Sequence, residues 1–171
     1  MTGRRRRPRL ATALAVLCVL ALAGGLAAGL WMRSRSADIE ADDTARAEVV
    51  QAAARFTSTW NTIDPKHPQA YVDAVTPLLS TKFRKEFTDT KDDVIGGITQ
   101  LGLSSRGKVL NDDDGIPLVG IADLDADSAK VLVVSDSQRV SGGQPVVRHW
   151  RWELTMVNVD GSWLVDDLKA V

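Results

Sequence analysis

Histidine is the side chain best suited to proton transfer near neutral pH, and the chain has two, His67 and His149. His67 stands between Lys66 and Pro68 in a stretch that reads as a turn, and His149 alternates with Trp150 and Trp152 so as to fall on the opposite strand face. Neither has a cysteine or a second histidine at ligand spacing, so both read as surface or rim residues and no metal is expected. Asp112, Asp113 and Asp114 are adjacent, whereas a calcium loop spaces its oxygen ligands, so they read as a solvated turn leading to Gly115. No phosphate-cradling glycine loop and no nucleophile elbow occurs. The expectation is therefore no catalytic residue and no cofactor.

The residues of most interest are Trp150, Trp152, Trp163 and Asp167. Asp160-Gly161 is a two-residue hairpin signal between two strand-like runs. That turn sets Asn158 opposite Trp163, Met156 opposite Val165 and Leu154 opposite Asp167. The expected core face then carries Trp150, Trp152, Leu154, Met156, Trp163 and Val165, with the Asp167 carboxylate among them. The three tryptophans either line a hydrophobic cavity or, as buried aromatics more commonly do, fill a core. Arg148 and Arg151 read as partners of acidic side chains.

Several elements must position these residues. Ala45, Val49, Ala52, Phe56, Trp60 and Ile63 recur at helical spacing, which predicts a helix from about Thr44 to Asp64-Pro65. A short helix over Gln69 to Val75 follows, and Thr76-Pro77 reads as the cap and first position of a third, with Leu79, Phe83 and Phe87 on one face. A weaker helical stretch, Asp92 to Leu101, is loosened by Gly96-Gly97. The period then changes to two, with Ile116, Leu118, Gly120, Ala122 and Leu124 alternating, and Ala129, Val131 and Val133 alternating after a polar turn. Val146 to Val159 and Ser162 to Leu168 complete the strands. Helices first and strands last specify an α+β domain of about three helices on a curved antiparallel sheet of about four strands.

The N-terminal part has a different composition. Residues 10–32 carry no charge and are long enough to span a bilayer as one helix. Five arginines precede them and Arg33 and Arg35 follow, a bias that places residues 1–9 in the cytoplasm and the C-terminal domain outside it. Ala21-Leu22-Ala23 resembles a signal-peptide cleavage site, but the apolar run continues through Leu26, Leu30 and Trp31, which favours an uncleaved anchor. Residues 33–43 read as a linker or helix start and residues 44–171 as the exported domain. The only cysteine, Cys18, lies in the apolar run and leaves the domain without a disulfide. From Ala37 onward, 14 basic residues face 22 acidic ones, a net of −8 that argues against nucleic acid as a partner.

Three segments carry a resemblance: Phe56-Thr-Ser-Thr-Trp60-Asn-Thr-Ile-Asp64, Thr76-Pro-Leu-Leu-Ser-Thr-Lys-Phe83 and Asp160-Gly-Ser-Trp163-Leu-Val-Asp-Asp-Leu168. With the N-terminal anchor, they resemble actinobacterial Mce-associated membrane proteins. The resemblance implies the cone-shaped nuclear transport factor 2-like fold and a non-catalytic, single-pass accessory role beside Mce-type lipid or sterol importers. The partners it implies are the membrane, importer subunits, and homo- or hetero-oligomers with related proteins. The same anchor-plus-cone plan is similar to scaffold components of type IV secretion and conjugation machines, and the fold also supports isomerase-like and hydrolase-like enzymes. Tyr71 is the only tyrosine, and no acid–base cluster favours the enzyme reading.

Overall fold

Small and apolar side chains on one stripe give the first helix, α1 at residues 43–60, a flat face with which to meet a sheet. Val49, Ala52, Ala53 and Phe56 on that face are buried, as is Thr57. The computed structural model describes residues 43–141 and 144–171, and the expected membrane span at residues 10–32 lies outside them. Among the described residues no helix is long and apolar enough to cross a membrane.

Helix α2 (Pro68–Val75) starts on proline, which needs no amide partner at that position, and buries Tyr71, Val72 and Val75. One turn of 3-10 helix, Thr76–Leu78, follows. The expected cap at Thr76 is corrected here: its hydroxyl donates back to the Val72 carbonyl at 2.7 Å, and Leu79 is extended. Ser80 caps α3 (Thr81–Asp89) instead, its hydroxyl accepting from the Phe83 amide at 3.1 Å. Helix α4 (Lys91–Leu101) ends where Gly102 takes a left-handed conformation. Among the described residues the α-helices number four, against the three or so expected for the domain.

The strands are β1 (Ser104–Val109), β2 (Val119–Leu124), β3 (Ser128–Ser141), β4 (Gln144–Val159) and β5 (Ser162–Ala170). They form one antiparallel five-stranded sheet in the order β1-β3-β4-β5, with β2 also paired to β3. Strand β1 lies opposite Val140 to Ser135 and β2 opposite Val133 to Ala129. The two thus share one edge of β3, like a single strand interrupted by residues 110–118. The sequence pattern missed β1 altogether.

Two bulges correct the expected faces. A register shift between Ile121 and Asp123 turns Val119 and Ile121 toward the core, while Ile116 and Leu118, expected to share the buried face, are 57% and 39% exposed. On β5, Asn158 faces Trp163 and Met156 faces Val165 as the turn requires, but a second shift then sets Leu154 opposite Leu168 and Thr155 opposite Asp167. One extra residue moves every later side chain to the other face. Asp167 is consequently exposed rather than among the tryptophans.

The helices cover one sheet face, where Val131, Val133, Trp152, Leu154, Met156, Trp163 and Val165 are buried. After α1 the chain joins the sheet directly, since Ile63 and Ser105 exchange backbone hydrogen bonds of 2.7 and 2.9 Å. Gly107 of β1 sits against the end of α1 so closely that a Cβ would collide with Asn61 Cβ and come within 2.8 Å of the Ser58 carbonyl oxygen. Gly120 on β2 faces open space. Gly107→Ala should therefore destabilise the domain by about 1–3 kcal/mol through overpacking. Gly120→Ala should be neutral or slightly stabilising, and denaturant titration of both variants checks the contrast.

Candidate functional site

The cone-shaped space between helices and sheet is filled in two ways. On the helical side Trp60 is the hub of an aromatic cluster, with Phe56, Tyr71, Phe83 and Phe87 rings centred 5.6 to 6.3 Å from its own. On the sheet side the polar groups that lie inside include short hydroxyls as well as the indole N–H groups of Trp152 and Trp163. Ser135 and Ser137 on β3 are both fully buried. Ser135 accepts from the Asn61 amide at 3.2 Å, and Ser137 accepts from the Trp150 indole N–H at 2.9 Å. Each such bond stabilises by about 1 kcal/mol and gives these two serine hydroxyls a partner, whereas the buried hydroxyls of Thr57 and Ser105 have none among the described residues.

Of the four residues singled out in sequence, the fold brings two together. Trp150 and Trp152 stack at 5.0 Å between centroids, Trp152 buried and Trp150 half-buried. Trp163 is buried opposite Asn158, about 26 Å further along β4 at the usual rise per residue. It borders a separate depression with Gln51, Arg55, Pro77 and Leu78. The tryptophans therefore line no common cavity, and Asp167 lies outside, its carboxylate accepting from the Leu168 amide at 2.9 Å.

The carboxylate that does join helix to sheet is Asp166, the residue at the β5 bulge. It accepts from the Ser80 hydroxyl at 2.7 Å and from Lys82 at 3.3 Å, and that bond holds the Lys82 ammonium above its usual range. Sequence reasoning passed over Asp166 because only the bulge turns it toward Ser80.

Both histidines pair with carboxylates at the surface. His67 Nδ1 is 2.9 Å from Asp64, whose carboxyl is held below its ordinary value first by that hydrogen bond and then by the Lys66 amide. The pair borders a depression of about 310 Å³ with Thr59, Thr62 and Tyr71. The two threonine hydroxyls there donate to the carbonyls of Arg55 and Ser58. His149 Nδ1 is 2.6 Å from Asp136. The Asp112 carboxylate accepts from the Asp114 and Ile116 amides and so builds a turn. Among the described residues no group of three or more His, Cys, Asp or Glu could hold a metal ion.

The most unusual chemistry is at the far end of β3 and β4. The guanidinium groups of Arg139 and Arg148 lie 5.5 and 5.7 Å from the centre of the Trp150 ring. The Arg139 Nε is buried with no hydrogen-bond partner among the described residues. Among the described residues neither arginine pairs with a carboxylate, although Arg148, like Arg151, was expected to do so. Two guanidiniums over one indole suit a planar anion such as a carboxylate.

No protein-family model matches the chain, and no curated protein matches it. Its likeness is to solved structures. The periplasmic domain of DotI superposes with a TM-score of 0.58 at 10% identity, over 72% of this chain and 92% of that one. CagV, a VirB8 homolog of the type IV secretion system from Helicobacter pylori, gives 0.55 at 8% identity, over 73% and 97%. An IcmL-like type IV secretion system protein from Legionella pneumophila gives 0.57 at 10% identity, over 74% and 91%. A nuclear transport factor 2-like protein involved in plasmid conjugation gives 0.50 at 12% identity, over 74% of this chain and 48% of that one.

Tyr71 gives the filled interior a direct readout, because it is the only tyrosine. It is 8% exposed, its hydroxyl donates to the Trp60 carbonyl at 3.3 Å, and burial raises its pKa above the ordinary 10.0. The folded state thus holds this proton more tightly than the unfolded state, so the contribution is fully present below pH 10.0 and is lost as the pH rises further. Phenolate absorbance should stay absent through pH 10.0 and rise together with alkaline unfolding measured by circular dichroism. A phenolate appearing at its ordinary pH in folded protein would mean that the cluster is open. With its helices on an open antiparallel sheet, the described part of the chain shares its fold with these domains, one of them a nuclear transport factor 2-like protein.

Proposed function

We propose that this protein is a non-catalytic accessory or scaffold component of a type IV secretion or conjugation machine. The reading places the domain of residues 44–171 outside the cytoplasm, held by a membrane span at residues 10–32. The observation that carries it is the likeness to the periplasmic domain of DotI, to CagV and to the IcmL-like protein, each covered over nine-tenths of its length or more. The packed interior supports it from a second side, because Trp60, Trp152 and the buried serines occupy the space that an enzyme of this shape would keep for substrate.

The Mce-type importer is the weaker reading. The segments that resemble that family do structural work in this domain. One ends α1 at the Trp60 cluster, one contains the Ser80 cap, and one is the β4–β5 hairpin. Such segments follow from the fold and do not separate one envelope machine from another.

Deletion of the gene in its native host, with transfer of DNA or protein and uptake of labelled lipid measured side by side, tests the choice. Transfer should fall at least about tenfold while lipid uptake holds, and Asp167→Asn in the restored gene should leave transfer intact because that carboxylate is at the surface. Loss of lipid uptake with unchanged transfer would instead select the importer.

A further inference from the structure

Strand β4 outruns its neighbour. Pairing with β5 begins at Trp152 opposite Ala170, and beyond it the Val171 amide donates to the Arg151 carbonyl at 3.0 Å. From Gln144 to Trp150, β4 pairs with β3 on one side and with no strand among the described residues on the other. Successive residues of a strand aim their backbone groups to alternate sides. Since Arg151 aims its carbonyl toward β5, the N–H and C=O of His149 and Val147 and the C=O of Pro145 aim to that same open side. Pro145, which has no N–H to offer, is tolerated there as on other edge strands.

This edge differs from the other outer strands of the sheet. Strands β2 and β5 each carry a bulge, a device that discourages added strands, Leu79 already bridges β5 at Val165, and on β1 the chain after α1 bridges Ser105 through Ile63 and packs against Gly107. From Gln144 to Arg151 the pairing of β4 with β3 is regular, and Val146 and Val147 are 46% and 47% exposed. The charge is also unlike that of the rest of the domain. Arg139 and Arg148 share the Trp150 face, while Arg106, His149 and Arg151 belong to the opposite face by register. Asp136 is the acidic side chain among them, and it is taken by His149. A net charge of −8 from Ala37 onward therefore coexists with a positive end.

We infer that the open edge of β4 from Pro145 to His149 binds an extended acidic segment of a partner protein, which adds to the sheet as a further strand. The backbone groups of Val147 and His149 supply the pairing, and the arginines on both faces select carboxylate side chains alongside. A second copy of this chain is disfavoured, because edge-to-edge pairing would bring Arg148 and Arg151 of one copy against those of the other. An anionic lipid surface would satisfy the arginines but has no regular array of donors and acceptors to match the strand. The inference names the partner class for the accessory role proposed above and rests on that role only in taking the domain to bind protein.

Calorimetric titration of the full chain in neutral phosphatidylcholine nanodiscs tests this with three probes: a peptide of alternating Glu and Val, the same peptide N-methylated at alternate residues, and phosphatidylglycerol vesicles. The acidic peptide should bind, and N-methylation should weaken it roughly tenfold or more, as should Val147→Pro, which removes an edge N–H while leaving the β3 pairing in place. Arg148→Glu should weaken it comparably, with circular dichroism unchanged because the side chain is exposed. Failure of the acidic peptide to bind, equal binding of the methylated peptide or of Val147→Pro, or binding of vesicles alone would each overturn the inference. Loss of transfer on gene deletion together with any of those results would leave the accessory role standing and remove this edge as its means.

Discussion

The end of α1 lies so close to the sheet that residue 107 can carry no side chain, and much of the domain follows from that contact. With Gly107 in place, the Ser58 hydroxyl reaches the Gly107 carbonyl at 3.4 Å and the Gly107 amide donates to the Thr62 hydroxyl at 3.1 Å. Asn61 passes beyond to the buried Ser135 on β3. Ile63 then pairs with Ser105, so the helix end, β1 and β3 are fixed together by backbone and short polar side chains. This seat closes the helix onto the sheet at Gly107, and Trp60, beside it, is the centre of the aromatic cluster.

The proposed role puts function on the outside of a packed interior. Groups able to exchange protons, such as the Asp64–His67 and Asp136–His149 pairs, are at the surface and spend their hydrogen bonds on each other or on local turns. What the sheet leaves exposed is backbone and guanidinium, chemistry able to pair with an added strand and with carboxylates. The length mismatch between β4 and β5 does at one edge what a cavity does in an enzyme: it holds unsatisfied groups in a fixed geometry.

Much of the fold was legible where apolar periodicity is strong. Val49, Ala52 and Phe56 mark α1, and Asp160-Gly161 sets the start of the last hairpin, with Asp160 and Gly161 both at positive φ as such a turn requires. Strand β1 was invisible because its core face reads Ser105, Gly107, Val109. The close approach of α1 demands small residues where a strand pattern would show large ones. The faces of β2 and of the end of β5 were misread for one reason, a bulge in each, and a bulge leaves no residue signature when the inserted positions are an ordinary Ala122 or Asp166. Trp150 was marked in sequence and Arg148 shares its strand face by alternation, but Arg139 reaches the indole only through the β3–β4 register, which sets it opposite Val146.

The central claim is that the domain acts through a surface it leaves open rather than through an interior site. Residue-resolved amide hydrogen exchange along β4 of the full chain, without added ligand, tests it most directly. The account predicts alternation, with Val147 and His149 exchanging fast and Val146, Arg148 and Trp150 slow, giving way to continuous protection from Glu153 to Asn158 where β5 covers the other side. Uniform protection from Val146 through Trp150 would show that the edge is already covered within the protein, and would contradict the account.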